Sequence, residues 1–123
     1  MEQVNIKAVI VQLLGEFKTD GTLKQVKTDY PKSWNDFPTA IHRTSSKPYF
    51  VDADQKELQT QWHITIELYH NKSLTDIVKR ISERFNDVRI NLSDKDANTA
   101  NLRRVILEAE FIVDNTLKIV YEK

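Results

Sequence analysis

The chain has 123 residues and no cysteine, so it can bury a core without help but cannot form disulfides, thiolate metal sites or thiol nucleophiles. Its 18 basic and 18 acidic side chains cancel, which leaves no overall field to attract nucleic acid or anionic lipid. No apolar run approaches the roughly 18 residues of a membrane span, and the start MEQVNIKAVI lacks the basic region of a secretory signal, so we expect one soluble domain over residues 1–123, made in the cytoplasm.

The first segment, residues 2–16, has the spacing of an amphipathic helix. Val4, Ala8 and Val11 make its apolar stripe wider than one packing face requires. Two interpretations remain: a helix wedged deeply into the core, or a helix that gives Val4 and Val11 to a neighbouring subunit. The predicted core positions of the stripe are Ile6, Val9, Ile10, Leu13 and Phe17.

A short edge strand at residues 23–28 is followed by the cluster YPKSWNDFPTAI, residues 30–41. Its two prolines favour extended backbone and remove donors, so it forms no helix. We predict an ordered corner that Trp34 and Phe37 anchor at the edge of the core. A ligand pocket is the weaker alternative, because Lys32 and Asp36 are its only convergent polar partners.

A long hairpin is predicted over residues 39–69. Apolar and polar residues alternate along its second strand, residues 58–69, as in a half-buried antiparallel strand. Tyr49, Phe50 and Val51 lie near the tip, where a small domain has little core to cover them. The hairpin is either an arm that reaches a partner or a flap that folds back on its own sheet.

The second half begins with a helix whose predicted N-cap is Ser73, with Asp76 in a capping-box position. A strand at residues 88–92 and a mobile loop at residues 93–101 follow. The chain ends in a hairpin over residues 102–122. A three-residue turn that pairs Val113 with Leu117 keeps one apolar face intact and is therefore the predicted register.

These elements predict an α+β fold, with a mainly antiparallel sheet of about five to six strands and two helices packed on one face. The opposite face then leaves Ile106, Ile112 and Val120 facing water among charged residues. An aliphatic centre with a polar rim is typical of a subunit contact. The predicted interface residues are therefore Val4, Val11, Tyr49, Phe50, Val51, Ile106, Ile112 and Val120.

The histidines and carboxylates of the sequence form no recognisable catalytic or metal-binding pattern. His63 and His70 fall on opposite strand parities, and His42 lies on another strand, so no metal site is predicted. Glu108 and Glu110 share a strand face, but nothing in the sequence desolvates them as general acid catalysis requires. We predict no catalytic, cofactor-binding or metal-binding residue, and a protein that is not an enzyme.

Five stretches sample both ends and the middle of the chain and together cover more than half of it: NIKAVIVQLL, TDYPKSWNDFPTAIHRTSSKP, ELQTQWHITIELY, DANTANLRRVILE and VDNTLKIVYEK. In these stretches the sequence resembles a group of small prophage proteins from Gram-positive hosts, encoded in the module for the head-to-tail junction. The order of predicted elements is also similar to that of tail-completion proteins of long-tailed phages.

The resemblance implies a structural virion protein that terminates the tail tube and joins it to the head connector. Its partners would be the tail tube protein, the connector protein and copies of itself in a ring, generally a hexamer, that assembles from free monomers. It implies no cofactor, membrane or specific nucleic acid. A connector-side neck protein of the phage head is the close alternative. A small monomeric protein-binding module that acts through residues 49–51 is the alternative of another class.

Overall fold

The computed structural model describes residues 5–30, 36–54, 57–99 and 101–115, together with the backbone of residues 119–122. Within these residues the chain forms two helices and a six-stranded sheet, which confirms the predicted α+β class. The elements are α1 (Ile6–Thr19), β1 (Gln25–Lys27), β2 (Thr39–Val51), β3 (Glu57–His70), α2 (Thr75–Asn86), β4 (Ser93–Asp96), β5 (Arg103–Asp114) and β6 (Ile119–Glu122).

The sheet runs in the order β1-β2-β3-β5-β4, with β6 also paired to β5. The far edge of β5 is thus shared, because β4 pairs with its first half and β6 with its second. All pairs are antiparallel except β1 with β2. The predicted edge strand at residues 23–28 and the long hairpin are both confirmed.

Both helices pack on one side of this sheet. The Asn5 side chain caps α1 by accepting a hydrogen bond from the Ala8 amide at 3.1 Å. The apolar side of each helix meets alternate residues of β3 and β5, as the period-two pattern predicted. The fully buried centre of this core includes Ile10, Leu14, Ile64, Ile66, Leu68, Ile81, Phe85 and Leu107.

Two predictions for the second half are wrong. Leu74, and not Ser73, occupies the N-cap of α2, and it makes no side-chain cap bond. The Ser73 hydroxyl instead accepts a hydrogen bond from the Thr75 amide at 3.3 Å. Residues 88–92 form no strand, since the turn that ends α2 continues to Ile90, whose amide donates to the Phe85 carbonyl at 3.0 Å.

The strand lies instead in the segment predicted as a mobile loop. Residues 93–96 form β4, which pairs with β5, and the following turn is hydrogen-bonded to the same strand. The Ala97 amide donates to the Arg104 carbonyl at 2.8 Å, and the Arg104 amide donates to Asn98 Oδ1 at 2.9 Å. Backbone pairing to an open edge orders this polar segment, and a hydrophobic pattern cannot reveal such pairing.

The predicted register of the last hairpin is also wrong. Val113 pairs with Val120, and Asp114 pairs with Ile119, which makes the connection longer than the predicted three residues. Asn115 explains the difference, because it is 1% exposed and turns toward the start of β3. Its backbone amide donates to the Leu58 carbonyl at 2.9 Å, and its side-chain amide donates to Thr60 Oγ1, also at 2.9 Å. A polar anchor therefore sets the register.

Candidate assembly surfaces

The outer face is the side of the sheet that the helices do not cover. Its central column comes from β3, and its flanks come from alternate residues of β2 and β5. Unlike the helix-covered side, it carries charged and amide side chains along its length. The residues of the column are Gln59, Gln61, His63, Thr65, Glu67 and Tyr69.

Glu67 is the centre of a buried polar cluster on the outer face. Glu67 is 5% exposed and lies between Ile41 and Ile106 in the register of the sheet. It forms an ion pair with Arg104 and lies 3.8 Å from the Arg43 guanidinium. A buried carboxylate needs such partners, because desolvation without them is costly.

Two tyrosines cover this cluster. The Tyr30 hydroxyl donates to the Glu67 carboxylate at 3.2 Å, and its ring meets the Tyr69 ring edge-on at 6.3 Å. The Arg43 guanidinium stacks over Tyr30 at 5.4 Å, and that of Arg104 over Tyr69 at 5.6 Å. The first residue of the corner, Tyr30, thus contacts the outer face through a hydrogen bond and aromatic contacts, which the sequence pattern did not predict.

The electrostatics of the cluster follow from this burial. Burial raises the pKa of Tyr69 to about 12, and the hydrogen bond to Tyr30 and the Glu67 charge act in the same direction. The hydrogen bond to Glu67 raises the pKa of Arg104 above its ordinary value. The alternation along β3 predicts that Glu67 lies on the polar face. It does not predict the contact with Tyr30, which is 37 residues away in the chain.

Two further carboxylates of the outer face have partners across strands. His63 Nε2 lies 2.6 Å from Glu108, and Gln61 hydrogen-bonds Glu110. The His63 and Glu108 side chains are 42% and 54% exposed. His63 also lines a cleft of about 330 Å³ beside the hairpin, but the exposure of the His63–Glu108 pair does not provide the desolvation that general acid–base chemistry uses.

The expectation that three aliphatic residues of the outer face meet water is wrong for Ile112. This side chain is only 8% exposed, beside the buried Gln61. Ile106 is half-buried in the same row as Glu67. The Val120 side chain lies outside the described residues, and its backbone pairs with the core residue Val113. The outer face is therefore mainly a ladder of paired polar groups.

The tip of the β2–β3 hairpin exposes far more apolar surface. Tyr49, Phe50 and Val51, here called the arm tip, are 53%, 54% and 40% exposed. The pairing of β2 with β3 shifts register on both sides of Phe50, so a bulge interrupts the regular alternation of side chains. The arm tip is thus exposed at the end of the β2–β3 hairpin, and its contact with a partner stays a prediction.

A second apolar position meets water on the outward side of α1. Val11 is 49% exposed, and Lys7, Ala8 and Lys18 beside it are exposed too. These residues, here called the outward face of α1, lie outside the buried stripe of the helix, and Lys7, Val11 and Lys18 run along one flank of it. Val4 and Trp34 lie outside the described residues, and Phe37 is half-buried.

Within the described parts of the chain, no arrangement of residues is typical of a metal site or of a membrane-spanning helix. There, no group of three or more histidine, aspartate or glutamate side chains lies close enough to hold a metal ion. Neither described helix has the length and hydropathy needed to cross a bilayer. No protein-family model and no curated protein matches the chain.

Proposed function

We propose that this protein is a structural subunit of a phage virion that terminates the tail tube and joins it to the head connector. The proposed role involves no catalysis and no cofactor. Copies of the chain form a ring, generally a hexamer, at the head–tail junction. The observation that carries the proposal is the arm tip, where three consecutive large hydrophobic residues are 40–54% exposed.

Exposure of three large hydrophobic side chains is unfavourable in water. Apolar surface gains roughly 25 cal/mol for each Å² removed from water, so a folded domain normally covers consecutive side chains of this size. The hairpin instead carries them beyond the helix-covered core. Exposed apolar groups concentrated at one projection are typical of a site that a partner covers.

The outer face supports the second part of the proposal, a free monomer that assembles on a template. Its central carboxylates, Glu67, Glu108 and Glu110, each have a partner within the same chain. Paired charges keep a surface hydrated without offering a strongly apolar patch. The chain therefore stays soluble and unassembled until a tail tube and neighbouring copies cover the arm tip.

The first test is removal of the reading frame from the prophage that encodes the protein, followed by electron microscopy of induced lysates. The proposal expects full heads without tails, together with unjoined or overlong tails. Complementation with the unaltered chain should restore joined particles. Joined particles of normal length in the absence of the protein would eliminate the proposed role.

A matched pair of variants separates the arm tip from general surface effects. Phe50→Asp places a charge in the arm tip and should leave joining uncomplemented. Lys47→Asp changes the charge of an exposed residue in the same strand and should complement as well as the unaltered chain. Full complementation by Phe50→Asp would show that joining does not use the arm tip.

A further inference from the structure

We infer that the arm tip of one copy docks on the outward face of α1 of the next copy. This head-to-tail contact rests on the proposed function in one respect only, namely that a ring needs a repeated contact between identical chains. The two surfaces lie on different elements, so the contact is heterologous and generates rings or filaments.

The exposed large apolar side chains are concentrated on these two surfaces. Five large hydrophobic residues are exposed in the described part of the chain. Tyr30 is one of them, and it contacts Tyr69 and Glu67 within its own chain. The other four belong to the two surfaces of the proposed contact: Val11 on α1, and Tyr49, Phe50 and Val51 at the arm tip.

The charges of the two surfaces are also complementary. The arm tip leads directly into a turn with two acidic residues, Asp52 and Asp54, and the Asp54 amide donates to Asp52 Oδ1 at 2.9 Å. On α1, Val11 and Lys18 follow Lys7 by four and eleven positions. This spacing places the three residues on one side of a helix. An apolar segment followed by carboxylates thus faces an apolar position flanked by ammonium groups.

No acidic residue of α1 weakens this complementarity. Glu16 is the only acidic residue of the helix, and it is engaged elsewhere, with the Arg84 Nε 3.3 Å from its carboxylate. The surface is also open, because a Cβ added to Gly15 would meet no atom within 4 Å. Aromatic side chains from another copy can therefore approach the helix closely beside Val11.

The size of the contact makes it weak in isolation. Three half-exposed side chains supply on the order of a few hundred Å², whereas stable interfaces bury about 800 Å² on each partner. The contact should therefore form transiently between free chains and persist only in a ring fixed by other components. Its detection calls for covalent trapping.

The absence of native cysteine makes disulfide trapping specific. Purified Val11→Cys and Phe50→Cys chains, mixed under mild oxidation, should form a crossed dimer several-fold faster than Phe50→Cys mixed with Lys79→Cys. Lys79 is an exposed position on α2 and provides the random-collision rate. The Val11→Cys/Phe50→Cys double variant should form a ladder of covalent multimers. Equal rates for the two mixtures, or double-variant products no larger than dimers, would overturn the inference.

Charge exchange tests the orientation of the contact. Lys7→Glu on the Val11→Cys chain should slow crossed-dimer formation by about two- to five-fold, as expected for an exposed ion pair. Asp54→Lys on the Phe50→Cys chain should restore the rate. Unchanged rates would refute the proposed placement of the acidic turn over Lys7. Circular dichroism of each variant checks that the chains remain folded.

The trapping result and the lysate result can fail separately. Crossed dimers combined with normal joining in the absence of the protein would retain the contact and eliminate the proposed function. Failure of trapping combined with unjoined tails in the deleted strain would retain the function and eliminate the contact.

Discussion

The two halves of β2 belong to one strand but have opposite environments. Residues 39–42 are at most 4% exposed, while the half from Arg43 to Val51 is mostly exposed. Both halves pair with β3 in an almost continuous register. The difference therefore comes from what lies beside the strand: β1 pairs only with its first half, the helix-side core reaches Ala40, and Ile41 lies next to the buried Glu67 on the outer face. Strand pairing alone can extend a hairpin beyond its core.

In β3, the burial of side chains depends also on the second neighbouring strand, β5. Its arm-side residues Thr60, Gln61 and Trp62 are buried, although they pair with the exposed half of β2. β5 continues alongside them and completes the sheet. The exposed part of the arm is thus the edge strand, which is the part that a neighbouring molecule can reach.

The largest expected effect is the difference in unfolding free energy between a core variant and an arm-tip variant. Ile66 is fully buried, so Ile66→Ala should lower the free energy of unfolding by about 2–5 kcal/mol. Phe50→Ala, at the arm tip, should change it by less than about 0.5 kcal/mol. Urea denaturation of both variants measures this contrast. A loss above about 2 kcal/mol for Phe50→Ala would mean that the arm tip is packed in the free chain.

A smaller effect on stability is expected for Asn115, which follows β5 and forms hydrogen bonds to the first residues of β3. Asn115→Ala removes the donor to Thr60 Oγ1 and to the Glu57 carbonyl, and it should lower the free energy of unfolding by about 1–3 kcal/mol. The exposed Asn71 supplies the control, since Asn71→Ala should have little effect. Equal stability of Asn115→Ala and the unaltered chain would show that the hydrophobic pattern alone fixes the last hairpin.

The smallest effect concerns His42, at the boundary between the two halves of β2. Burial lowers the pKa of His42, and the nearby Lys7 charge lowers it further. The unfolded chain therefore binds the proton more readily, and stability should fall as the pH drops below about 6.5. Replacement by His42→Gln should flatten this part of the stability profile, measured as urea midpoints at a series of pH values. A profile unchanged by His42→Gln would exclude this origin of acid sensitivity.

Alternation and helical spacing were sufficient for most of the fold. They predicted the two helices, the long hairpin and the inward residues of β3 and β5, because burial on one face imposes a period on the sequence. They failed at β4 and at the last turn, where backbone pairing to a free edge and the buried Asn115 decide the structure. Neither interaction leaves a periodic signal.

The sequence also predicted some features of the candidate surfaces and not others. The sequence by itself identified Tyr49, Phe50, Val51 and Val11 as apolar residues in excess of what one small core can hold. Only the tertiary structure decided that Ile112 is buried and that Glu67 is paired with Arg104 and Tyr30. The physical reason is that local spacing records which residues are apolar and on which side they lie, whereas exposure depends on segments that are distant in the chain.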